Sequence, residues 1–108
     1  MLELLLKNGA DIDVNFEQLG TALIAASNKG HISIVEALLE KDVDININAE
    51  GLGTALIAAS KNGHLSVVKM LLEKGADTNI NNEKLGTAIV TAATWGHASV
   101  IEALLEKK

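Results

Sequence analysis

Apolar positions along this chain come in short bursts that recur at a fixed interval. Thr21, Thr54 and Thr87 each open a run of Thr-Ala-(Leu/Ile)-(Ile/Val), and they stand 33 residues apart. Gly30-His31, Gly63-His64 and Gly96-His97 recur at the same interval, as do Leu38-Leu39-Glu40-Lys41, Leu71-Leu72-Glu73-Lys74 and Leu104-Leu105-Glu106-Lys107. Self-similarity at this period marks an array of stacked supersecondary units.

Within one unit the pattern predicts two short helices followed by an extended polar loop. The first helix is expected over Ala22–Lys29, with the Thr21 hydroxyl capping its N-terminus and Gly30 as a left-handed stop. The second runs near Ile32–Lys41 and places Ile34, Val35, Leu38 and Leu39 on one face. Asp44-Ile45-Asn46-Ile47-Asn48 then favours turns over further helix. Ala25 and Ala26, with Ala58, Ala59, Ala92 and Ala93, are expected on the packing side of the first helices, where small side chains let neighbours approach. One such unit cannot bury its apolar faces alone, so stability must come from nearest-neighbour interfaces. The expected fold is an all-α solenoid.

These residues resemble the ankyrin repeat along the whole chain. The resemblance rests on Gly-Thr-Ala-Leu-Ile-Ala-Ala, on Gly-His, on Val-x-x-Leu-Leu-Glu-Lys-Gly-Ala-Asp and on a closing Asn. It implies one domain of stacked helix-turn-helix units with hairpin-like loops: a partial repeat at 1–15, full repeats at 16–48 and 49–81, and a last one at 82–108 without its loop. The family's usual Thr-Pro-Leu-His is replaced by Thr21-Ala22-Leu23-Ile24 and its later copies. The usual turn glycine becomes Leu19, Leu52 or Leu85, with glycine one position later at Gly20, Gly53 and Gly86. In this the chain is similar to repeats of fungal receptor-type signalling proteins. Asp42 stands where the next unit has Gly75, and a left-handed conformation is expected there.

Composition narrows the function. Apolar residues make up 48% of the 108, but aromatic residues only 2%, which suits a thin core between slim helices. There is no cysteine, so no disulfide framework or thiolate metal site can form. The opening Met1–Lys7 is too short and too charged for a signal h-region or a membrane span. An intracellular, cytoplasmic protein is expected. Net charge is −5 and the nine basic residues are scattered singly; a phosphate-backbone binder needs them clustered. Neither nucleic acid nor membrane is an expected partner.

Candidate chemistry is sparse. His31, His64 and His97 come one per unit, and helices packed 8–10 Å apart cannot converge them on a zinc ion that needs ligands at about 2 Å. They read as polar residues between helices. The fourteen carboxylates fall mostly at helix ends and in loops, where solvated charge is the default. Ser27, Ser33, Ser60, Ser66 and Ser99 recur with the repeat and read as polar groups near helix ends. No phosphate-binding glycine loop is present. No enzyme, cofactor or metal is expected.

What remains is a binding surface. Trp95 breaks the pattern, standing where earlier units carry Lys29 and Asn62, and has the character of an interface anchor; it could equally cover apolar surface on the last helix pair. Phe16 stands where later units have Ala49 and Asn82, either at a hairpin tip or as a plug against the partial first repeat. The resemblance places partner contacts on hairpin tips and on a concave face of helix ends. The expected set is Glu17, Gln18, Glu50, Glu83 and Lys84 on hairpins, with Asn28, Lys29, Lys61, Asn62, Thr94 and Trp95 on helix ends. The reading is a non-catalytic protein–protein interaction module. The alternative is a self-associating or structural segment of a longer array, because Leu2, Leu4, Leu5 and Leu6 at one end and Val100, Ile101, Leu104 and Leu105 at the other form apolar helices without a polar cap.

Overall fold

The computed structural model describes residues 16–41 and 43–106, with side chains from Gln18 onward. Among the described residues there are six helices, in pairs: α1 (Phe16–Lys29) with α2 (Ile32–Leu39), α3 (Ala55–Lys61) with α4 (Leu65–Glu73), and α5 (Ala88–Thr94) with α6 (Ala98–Glu106). First helices stack on first helices, and second helices on second. The fold is the all-helical solenoid that the period predicts.

Each pair closes the same way. Gly30 adopts φ +75°, and its N–H donates to the Ser27 carbonyl while the His31 N–H donates to that of Ala26. These two bonds are a Schellman motif, which satisfies carbonyls that the helix end would leave open. It recurs at Gly63-His64 and Gly96-His97. The histidine carbonyl then accepts from Val35, Val68 or Ile101 to begin the second helix. One dipeptide thus ends one helix and starts the next.

The core is a continuous apolar seam. Leu23, Ile24, Val35 and Leu38 of the first pair meet Leu56, Ile57, Val67, Val68 and Leu71 of the second, which meet Ala88, Ala92, Val100 and Leu104 of the third. Ala26, Ala58, Ala59 and Ala92 lie in this seam as expected, but Ala25 and Ala93 are exposed. Ala93 has the register of Ser27 and Ser60, which are buried in the two units that another described unit follows.

The first unit departs from expectation at its start. Thr54 and Thr87 do cap α3 and α5, their hydroxyls accepting from Ile57 N (3.1 Å) and Val90 N (3.4 Å). Thr21 instead lies inside α1, which begins at Phe16. Ahead of α3, Gly51 and Gly53 take positive φ and Ala49 pairs with Gly53. Ahead of α5, the Asn82 side chain accepts from Lys84 N and Leu85 N and Asn82 pairs with Gly86. The Phe16-Glu17-Gln18-Leu19 run has neither device and continues as helix. Gly20 matters there for space: a Cβ on it would meet the Ile47 side chain and the Asp44 carbonyl.

The loops are tied across units by amides. Asp44 and Asp77 each accept the N–H two residues on (Asn46 and Asn79), as Asx turns do. The Asn46 side chain accepts from Asp77 N at 2.9 Å, and Asn48 Nδ2 donates to the Asn81 carbonyl at 3.0 Å. Gly75 takes the left-handed conformation, while Asp42, for which the same was expected, lies outside the described residues.

Candidate interaction surface

Most of the residues expected to meet a partner fall into two clusters. At the hairpins, Glu50, Gly51, Glu83 and Lys84 line a cleft of about 280 Å³ together with Asn48, Asn81 and Asn82. Its floor is Asn82, only 6% exposed. The Nδ2 of Asn82 donates to Asn48 Oδ1 (2.8 Å) and to the Ala49 carbonyl (3.2 Å), while its Oδ1 accepts the two N–H groups of its own turn. All four hydrogen-bonding positions of this amide are used. Sequence reasoning missed Asn82 because its counterparts, Phe16 and Ala49, share none of its chemistry.

Glu17 and Gln18 do not belong to this cluster. Both sit in the first turn of α1 and not on a hairpin; Gln18 is exposed, and the Glu17 side chain lies outside the described residues. Phe16 heads the same helix, so it is not a hairpin tip, and its side chain too lies outside them.

The second cluster joins the C-terminal ends of the first helices. Asn62 Nδ2 donates to Asn28 Oδ1 at 2.8 Å and to the Ala58 carbonyl at 3.0 Å, so these two residues of neighbouring units are first of all bound to each other. Beside them His64 Nε2 meets the Asn28 carbonyl at 3.1 Å, and His97 Nε2 meets the Lys61 carbonyl at 2.9 Å. A carbonyl only accepts, so Nε2 carries the proton in both. The ladder histidines bind the preceding unit's helix end. His31 is exposed.

Lys61 and Trp95 also meet across units, with Nζ 5.3 Å from the ring centroid, inside the range of a cation–π contact. Trp95 keeps 55% of its surface exposed. Lys29 is exposed in the last turn of α1. Thr94 is exposed as well, its hydroxyl bonded back to the Val90 carbonyl.

At the C-terminal side of the stack Val100 and Leu104, expected to lie open, are instead buried against α4 and α5, and Ile101 is half-buried. The exposed apolar residues there are Val90 and Leu105, each 51% exposed, beside Ala93. Their counterparts one unit earlier, Ile57 (1%) and Leu72 (5%), are covered by the third pair.

No curated protein matches the chain at a significant level. A model of ankyrin repeats in three copies matches residues 1–82 and 48–108, which together span all of it. Members of this family generally serve as protein–protein interaction modules and are typically not enzymes. With the stacked pairs, the Gly-His junctions and the loop ladder, that match settles the assignment: the chain belongs to the ankyrin repeat family.

Proposed function

We propose that this chain is a non-catalytic, cytoplasmic module that binds a protein partner through its hairpin cleft and its helix-end surface, without a cofactor and without contact to nucleic acid or membrane. The observation that carries this reading is Trp95, a large aromatic side chain held by Lys61 yet more than half exposed. An anchor already fixed in place loses little conformational freedom when a partner covers it. The hairpin cleft adds a preformed polar site, since Asn82 and the loop ladder hold its walls independently of any ligand.

The test is a partner selected from displayed random peptides and measured against the Lys29→Ala/Trp95→Ala double variant. Weakened binding at unchanged thermal stability supports the surface. Equal affinity removes it.

A second reading is favoured by a specific observation, the exposure of Val90, Ala93 and Leu105 at positions that the preceding unit buries as Ile57, Ser60 and Leu72. On that reading the open face of the stack associates with another chain. Molar mass by light scattering across a wide dilution separates the two: a constant monomer supports the binding module, and a concentration-dependent mass supports association.

A further inference from the structure

Charge is segregated on this molecule. Helices α3 and α5 contain no Asp or Glu, and α1 has none after its second residue. Among the described residues, the acidic ones other than Glu17 sit on second helices, as Glu36, Glu73, Glu102 and Glu106, and in loops and hairpins. Among the described residues, the C-terminal ends of the first helices therefore carry Lys29, Lys61 and Trp95 and no carboxylate of their own, on a chain whose net charge is −5.

A helix C-terminus would normally offset such cations with its open carbonyls. Here the frame engages several of them. The Asn28 and Lys61 carbonyls accept from His64 and His97, the Ala58 carbonyl and Asn28 Oδ1 accept from Asn62, and the Schellman bonds occupy those of Ala26 and Ser27. The charged groups left at this surface are two ammonium groups, on exposed Lys29 and half-buried Lys61, beside the exposed Trp95. Lys61 lies over the Trp95 ring, and just over half of the residue's surface is open.

We infer that this helix-end surface recognises an acidic, extended protein segment, with carboxylates on Lys29 and Lys61 and an apolar side chain on the open part of Trp95. The inference rests on the module reading above and names its partner's chemistry. Stacked helices lie about 8–10 Å apart and an extended chain rises about 3.3 Å per residue, so acidic residues three apart meet successive units. A protein segment is favoured over nucleic acid because the rest of the surface is acidic and repels a polyanion, while a short segment meets only the local cations.

Trp95 is the sole tryptophan, so its emission reports on this surface alone. The intact chain is titrated with a peptide in which Glu recurs every third residue between Leu and Gly, with its Gln and Lys counterparts, and with single-stranded oligothymidylate. The Glu peptide shifts the emission and binds about tenfold or more tighter than the Gln peptide, and added salt erodes the difference. Lys61→Gln, folded by circular dichroism, abolishes that preference. Equal binding of Glu and Gln peptides, a preference for Lys, tighter binding of the oligonucleotide, or no response to any of the four overturns the inference. The selection described above keeps the two readings apart: selected peptides without acidic residues that still depend on Lys29 and Trp95 remove the acidic partner and leave the module standing.

Discussion

The imidazole of His64 lies against Gly30, in the space a Cβ there would enter, and donates through Nε2 to the carbonyl of Asn28. His97 repeats the arrangement on Gly63 and Lys61. The same glycine that turns the chain between two helices is thus the seat for the next unit's histidine. Gly75 has an equally left-handed φ, but a Cβ on it meets nothing within 4 Å. Ala at Gly75 carries only the backbone penalty, about 1–2 kcal/mol. Gly30→Ala must also displace the imidazole, so urea denaturation is expected to show a clearly larger loss for it. Equal losses would mean that the ring does not use the glycine as its seat.

Asn82 supports a second prediction. Removing its amide leaves Lys84 N, Leu85 N and Asn48 Oδ1 without their partner. Replacement by Ala is expected to cost about 2–3 kcal/mol, the range for stranding buried polar groups. A loss below about 0.5 kcal/mol, as for an ordinary surface change, would show that water replaces the amide freely.

Two leucines of identical chemistry test the stacking directly. Leu72 is covered by the third pair and Leu105 is not. Leu72→Ala is expected to cost about 2–5 kcal/mol, whereas Leu105→Ala stays near the surface range of about 0.5 kcal/mol. A large loss at Leu105 in a monomeric sample would contradict the open face.

Gly20 and Ile47 supply a double-mutant test. Ala at Gly20 presses on Ile47 from inside α1. Truncating Ile47 to Ala relieves that clash, so the pair of substitutions is expected to cost less than the sum of the single ones by about 0.5–3 kcal/mol. Strict additivity would place Ile47 elsewhere.

The repeat period, the helix pairs and the caps at Thr54 and Thr87 were all legible in the sequence, because each rests on residues within a few positions of one another. Thr21 was misread for the same reason. Its local run matches the later copies, and the difference lies upstream, where Phe16 and Gln18 stand in place of residues that bend the chain. The Asn28–Asn62 and Lys61–Trp95 contacts join residues 34 apart. Periodicity shows that such positions are equivalent, but only the stacking offset shows which of them touch. The same limit hid Ala93, whose exposure depends on which neighbour stacks on its face.

On the proposed function, a protein partner covers the hairpin cleft and the helix ends. Hydrogen exchange of the chain with and without a selected protein partner tests it most directly. Slowed exchange is expected at the hairpins around Glu50 and Glu83 and at the helix ends around Lys29, Asn62 and Trp95, with α2, α4 and α6 unchanged. Protection confined to those second helices, or to the face around Val90 and Leu105, would contradict it.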